Sequence, residues 1–222
     1  MKNGFTLAEV LITLGIIGIV ASMTIPTLMT NYQKKSTAIR VKKAYAEVLQ
    51  AIKLSEEENG TIETWEIDRG SVENTKNFVN RYIMPYYKGL TLCSEGSSTK
   101  CGVPMSKYGA NYLTLNGTEL SFRPEPDKIY ILIDINNKAK PNKIGNDTFY
   151  FVTNEEYELR PYGWFNGITR ENVLNGYSYF DNKVGRLQVS CKNKNNSSGD
   201  YRAGCTALLM LDNWEFKKDY PW

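Results

Sequence analysis

From Gly4 to Leu28 the chain reads GFTLAEVLITLGIIGIVASMTIPTL, an apolar run that carries one charge, Glu9. The 21 residues from Phe5 to Ile25 reach about 30 Å as a helix, the thickness of one hydrocarbon core. An ionised carboxylate at mid-bilayer costs roughly 2.5–3.5 kcal/mol or more, so such a residue normally has a partner and a task. The run is preceded only by Met1-Lys2-Asn3-Gly4. A secretory signal places its small-residue cleavage site after the apolar region. Here the small residue comes before it, and a cut at that point leaves the helix in the product. Gly15 and Gly18 lie three apart on the run, a weak sign of close helix packing. Pro26 lacks an N–H and is expected to kink or loosen the helix.

This arrangement resembles the N-terminus of type IV prepilins and type II secretion pseudopilins. The resemblance covers about 25 of the 222 residues. It implies cleavage after Gly4 by a membrane prepilin peptidase and methylation of the new N-terminal amine on Phe5. Glu9, fifth in the product, would then pair with the N-terminal amine of a neighbouring subunit, and Pro26 would mark where the helix melts on assembly. In a low-dielectric setting a neighbour's amine is a strong partner for a buried carboxylate, and a stagger that satisfies the pair fixes filament register. The implied partners are the prepilin peptidase, other pilin or pseudopilin subunits, an inner-membrane assembly platform and membrane lipid. The implied location is the bacterial inner membrane, single-pass with the head outside the cytoplasm, and then the assembled fibre. The implied fold is α+β, a long N-terminal helix packed on an antiparallel sheet. Lys34, Lys35, Arg40, Lys42 and Lys43 follow the span while Lys2 alone precedes it, a bias that would hold the head inside. The cysteines and the resemblance both argue for export, and export is the expectation.

Beyond the span, Ala38, Val41, Tyr45, Val48 and Ile52 recur at steps of three or four, with Leu49 beside them. This predicts an amphipathic helix over 32–58, ended by Asn59-Gly60. The two helical segments together would reach roughly 80 Å. The expected organisation is a leader (1–4), an assembly helix (5–30), an amphipathic half (31–59) and a globular α+β head (60–222).

In the head, a second helix is expected over Val72–Met84, with Phe78, Val79, Tyr82 and Ile83 buried, and a polar cysteine-bearing loop over Leu90–Gly109. Strands are expected at Glu119–Phe122, Ile129–Ile135, Thr148–Val152, Arg186–Ser190 and Thr206–Leu211, separated by Asn- and Gly-rich turns. Ile129–Ile135 is nearly all apolar and reads as the central strand. Thr169–Asn175 reads as a helical turn. The last strand is followed by an aromatic tail in which Trp214 and Trp222 are either partner anchors or, the favoured reading, covers for the core.

Charge and composition narrow the function. Net charge is +3, and from Gly60 onward 20 basic residues face 19 acidic ones, which argues against a nucleic-acid surface. Lys138, Lys140 and Lys143 near Tyr130 and Tyr150 are the one local exception, and on them rests the alternative of a filament-borne DNA-uptake or adhesion subunit. The chain has no histidine, hence neither the commonest general base nor the commonest metal ligand. It carries no nucleophile-elbow, phosphate-loop or zinc-protease motif. The adjacent Glu155 and Glu156 read as solvated charge, so an enzyme is not expected, and a plain membrane-anchored domain is the remaining alternative. The four cysteines, Cys93, Cys101, Cys191 and Cys205, have no C-x-x-C spacing. Two disulfides in an oxidising compartment fit them better than a zinc site. The local pairing, Cys93–Cys101 and Cys191–Cys205, is expected because each pair is close in sequence and brackets a polar turn, with free thiols as the alternative.

The stretch from Asp134 to Phe151 resembles a loop seen in pilin-like proteins of the secretion kind, D-x-N-G-x-x-x-P-N-x-x-G-x-D-x-F, with Asn137 where glycine is usual. Two readings stay open. Asp134, Asn136 and Asp147 supply hard oxygens of the kind calcium takes six to eight of. Alternatively, the same residues make an Asx-turn connection between two strands.

Overall fold

Helix α1 (Leu7–Asn59) contains both halves of the N-terminal pattern, and the computed structural model of the chain describes residues 6–68, 70–102, 105–153, 156–180, 186–192 and 202–222. The chain divides into two units, residues 1–36 and 37–222. In the first, the apolar side chains of α1, Leu7, Leu11, Ile12, Leu14, Ile17 and Ile19 among them, are exposed on every side. A helix apolar all round is stable in lipid or among like helices and not in water. The helix runs unbroken through Pro26, where the sequence led us to expect a kink or loosening. The ring removes only the one N–H that would have bonded the carbonyl of Ser22.

In the second unit the buried stripe of α1 is Ala38, Val41, Ala44, Val48, Ala51 and Ile52, with Thr37 and Ser55. Tyr45 and Leu49 flank it, half-buried. The alanines lie at the centre because small side chains let the helix lie close to a sheet. Tyr45 instead reaches sideways. Its ring lies 5.1 Å from that of Phe151, and its hydroxyl donates to the carbonyl of Leu159 at 3.0 Å.

The sheet is an antiparallel meander of β1 (Thr91–Glu95), β2 (Ala110–Leu113), β3 (Glu119–Glu125), β4 (Lys128–Asp134), β5 (Thr148–Thr153) and β6 (Leu159–Pro161), in that order. The architecture is therefore α+β, a long N-terminal helix followed by a six-stranded antiparallel sheet. Tyr112, Leu120, Phe122, Ile131, Ile133, Phe149 and Phe151 share one core with α1. Each such buried side chain contributes about 1.5–3 kcal/mol. β4, the apolar run, lies inside the sheet between β3 and β5. The two-residue turn Pro126-Asp127 joins β3 to β4, pairing Glu125 with Lys128 and so, at the far end, Glu119 with Asp134.

Helix α2 (Val72–Tyr82) begins at Ser71, whose hydroxyl accepts from the N–H of Asn74; Phe78, Val79, Tyr82 and Ile83 are buried as expected. Helix α3 (Arg170–Asn175) follows a capping box made by Thr169 and Asn172. Strands β7 (Tyr177–Phe180) and β8 (Arg186–Val189) form a separate pair.

Two expectations are corrected. The stretch 206–211 is not a strand but part of helix α4 (Cys205–Leu211). Its residues Cys205 to Leu209 are buried without alternation, and Ala, Leu and Met favour helix where no sheet edge claims them. The 90–109 segment is not all loop, because β1 lies in it. Trp214 and Trp222 are half-buried against the core, so the tail covers apolar surface.

Candidate functional site

At the start of α1, Thr6 and Glu9 cap the helix reciprocally. The carboxylate Oε2 of Glu9 accepts from the N–H and the hydroxyl of Thr6, both at 2.8 Å, and the Glu9 N–H donates to Thr6 Oγ1 at 3.3 Å. This is a capping box, legible in Thr6-x-x-Glu9 but missed because Glu9 was read only as an intermolecular partner. Among the described residues Oε1 of Glu9 accepts no hydrogen bond. Gly4 and Phe5, the expected cleavage and methylation sites, lie outside the described residues, as do Glu155 and most of the polar loop after Lys192.

The loop from β4 to β5 brings Asp134, Asn136 and Asp147 together, but not as one cation shell. Asp147 accepts from the backbone N–H groups of Asn142 at 2.7 Å and Lys143 at 2.6 Å. Asn136 Nδ2 and the Thr148 hydroxyl, each at 3.3 Å, add two weaker donors. Both oxygens of Asp147 thus hold donors, and Asn136 turns its NH2 rather than its oxygen toward it. This is the Asx-turn arrangement, and as a calcium set Asp134, Asn136 and Asp147 do not fit jointly. Among the described residues no group of three or more His, Cys, Asp or Glu side chains is arranged for a metal.

The far end of this loop is pinned from the C-terminus. Arg202 donates through Nε to the Ile144 carbonyl and through Nη2 to Asn146 Oδ1 and the Pro221 carbonyl. Tyr220 donates to the Gly145 carbonyl at 2.6 Å. Gly145 has φ +82°, and a Cβ there would meet Cys205 Cβ at 2.5 Å, so only glycine fits. Cys205 is disulfide-bonded to Cys191, with Cα atoms 4.4 Å apart. Cys93 is bonded to Cys101, with Cα atoms 6.0 Å apart.

At the near end stands a pair that sequence reasoning half missed. Glu119 and Asp134 face each other across β3 and β4, and each is 1 % exposed. Neither oxygen of Glu119, nor Oδ2 of Asp134, has a hydrogen-bond partner. Asp134 Oδ1 accepts from the Asn136 N–H at 3.0 Å. Burial first, and then the charge of Asp134, pushes the Glu119 carboxyl up to about 8. Burial also pushes Asp134 up to about 7, against the opposing pull of the Asn136 N–H. The signal for Glu119 was available: a two-residue turn at Pro126-Asp127 counts out to that pairing.

Two known patterns match the chain. The prokaryotic N-terminal methylation motif matches residues 1–25, and a family of unknown function, DUF6613, matches residues 27–222. No curated protein and no solved structure matches it. The methylation motif sits on the apolar, uncovered start of α1 and the second match takes in the whole sheet, so the chain is a type IV pilin-like protein and belongs to the DUF6613 family.

Proposed function

We propose that this protein is a structural, non-enzymatic subunit of a helical filament, a type IV pilus or a type II secretion pseudopilus. It waits in the inner membrane with its head outside the cytoplasm, is cut after Gly4 and methylated on Phe5 by a prepilin peptidase, and is then lifted by an assembly platform into the fibre. Residues 5–30 pack in the fibre core, and the α+β head forms its surface. The observation that supports this most is the methylation motif over residues 1–25 on a helix whose apolar side chains have no cover. Glu9 fits the role in two ways. Its Oε2 caps its own helix, and its Oε1 is left for the amine of a neighbouring subunit, the partner a carboxylate in lipid requires.

The test is the intact mass and N-terminal sequence of the protein from native membranes. A chain beginning at methylated Phe5 is expected. A chain still beginning at Met1, in cells with an active prepilin peptidase, overturns the reading. Glu9→Ala is expected to be cleaved yet to drop at least tenfold in sheared filament fractions.

A further inference from the structure

A cleft of about 490 Å³ opens beside the exposed flank of α1. That volume falls in the range of small-ligand sites, roughly 300–1,000 Å³, and far exceeds what one ordered water fills. Its three walls are held in place by the chain's own bonds. On α1, Lys43, Glu47, Gln50 and Leu54 fall at steps of three or four and so share one side of the helix. The connection after α2 is tied to α1 twice. The Tyr87 hydroxyl donates to Glu47 Oε2 and the Tyr86 hydroxyl to Glu58 Oε2, both at 2.8 Å. The third wall is the turn from β2 to β3. Asn116 Oδ1 accepts there from the Thr114 hydroxyl at 2.6 Å and from the Thr118 N–H at 3.1 Å, an Asx-type arrangement that fixes the turn. The Leu115 side chain lies directly against Gly89, where a Cβ would meet its Cγ at 2.3 Å.

The lining is chemically one-sided. Leu54 and Leu115, 38 % and 85 % exposed, give the cleft apolar edges, and Tyr86 and Tyr87 add aromatic surface. Glu47 is its one acid. That carboxylate is already engaged, by the Tyr87 hydroxyl on Oε2 and by Lys43 at 3.7 Å on Oε1. Asn116 uses its oxygen on its own turn, so its NH2 is the end left to bond a ligand. Lys88 is exposed and, among the described residues, forms no ion pair. The cleft thus offers two ammonium groups and two side-chain amides beside apolar walls.

We propose that this cleft binds an organic acid, a single carboxylate on a compact apolar or aromatic body. Lys88 and Lys43 meet the charge, Asn116 and Gln50 donate to the carboxylate oxygens, and Leu54 and Leu115 cover the body. The same two lysines repel a cation. A phosphate suits the cleft less, because phosphates are held by helix N-termini, glycine-rich nests or Arg forks. Here the helical wall is an interior stretch of α1, and no arginine lines the cleft. A neutral ligand gains nothing from the ammonium groups. Exposed lysines are screened by solvent and salt, so a probe of about ten heavy atoms should bind with a Kd on the order of 1 mM. The site lies wholly in the head, and the proposal goes beyond the filament reading and does not depend on it.

The experiment uses the full chain in detergent at pH 7, titrated with 3-phenylpropionate, with hexanoate and, as the uncharged control, with 3-phenylpropionamide. Binding is followed by ligand-observed NMR, and variants in the same detergent subtract partition into micelles. Saturable binding of at least one acid is expected, with 3-phenylpropionamide at least fivefold weaker. Lys88→Gln should weaken binding at least threefold. Gln50→Trp, which fills the cleft from an exposed position, should abolish it, while Lys138→Gln, on the β4–β5 connection, leaves it unchanged. Absence of saturable binding of either acid by the unaltered chain up to 20 mM overturns the proposal, and that result needs no variant to fold. Equal binding of the amide overturns it as well, because the lysines then play no part. Binding that survives Gln50→Trp overturns it too, by locating the acid elsewhere.

Discussion

Asp212 and Glu119 are equally buried, each 1 % exposed, yet the fold surrounds them differently. Asp212, at the C-terminal end of α4, receives Arg170 Nε at 2.8 Å and Lys217 Nζ at 3.0 Å on one oxygen, and Arg170 reaches on to Asp219. Asp147, 2 % exposed, receives two backbone N–H groups at normal distances instead. Glu119 receives neither. A buried carboxylate is tolerated when its charge is met by a cation or by several donors, and at two of these three places the chain supplies such partners from its own residues. The contrast makes Glu119 and its neighbour Asp134 the exception, a pair of carboxyls that burial drives toward the protonated form instead of toward a partner. It also explains why, among the described carboxyls of the head, these two are pushed up to about 8 and about 7.

Three substitutions break or sharpen that contrast. The largest effect belongs to Asp147→Ala. It removes the acceptor for the Asn142 and Lys143 N–H groups in a loop where Asp147 is buried, and hydrogen bonds to a charged group are worth about 1.5–3 kcal/mol each. A loss of roughly 3–5 kcal/mol is expected, read by urea unfolding of the full chain in detergent. A loss under about 1 kcal/mol would show that the loop is held by Arg202 and Tyr220 alone. Asp212→Asn comes next. It keeps the shape but removes the charge between Arg170 and Lys217, both partly exposed and hence screened. Arg170 keeps Asp219, so a loss of about 1–2 kcal/mol is expected, shrinking in high salt. An effect as large as that of Asp147→Ala would mean that the ion pairs, not the backbone donors, organise the C-terminal half.

The sequence showed these sites unequally, and the reasons are physical. The stripe on α1 was legible because helical period survives in Ala38, Val41, Val48 and Ile52, although the fold centres it on Ala44 and Ala51, which carry too little apolar weight to be noticed. The strand expected at 206–211 became α4 because a segment buried on every side shows no period at all, and the choice then falls to propensity. β1 was missed because Thr91–Glu95 is a short edge strand with few buried side chains. Asp134, Asn136 and Asp147 stood out as one oxygen-rich motif. Only the fold separates Asp147, which organises backbone, from Asp134, which pairs with a residue 15 positions earlier. That pairing depends on register, and register has to be counted out along both strands from the Pro126-Asp127 turn.

The smallest effect has the opposite sign. Above about pH 8, where the buried Glu119 loses its proton, Glu119→Gln removes a charge that the fold leaves unmet, so it should stabilise slightly there, by under about 1 kcal/mol, where the Asp147 and Asp212 substitutions destabilise. Its clearer mark is on pH dependence. The Glu119 and Asp134 carboxyls hold their protons in the folded chain up to about 8 and about 7, whereas carboxylates in the unfolded chain lose theirs near 4. Between those limits the folded state binds more protons than the unfolded state, so stability falls as pH rises from about 4 through about 8. Asp147 steepens this by repelling Asp134, and Arg40 opposes it. Melting temperature measured in EGTA from pH 5 to 8 should therefore decline in the unaltered chain and decline less in Glu119→Gln. A curve that is flat in EGTA would mean that Glu119 and Asp134 are already ionised and already partnered, and the contrast with Asp212 would collapse.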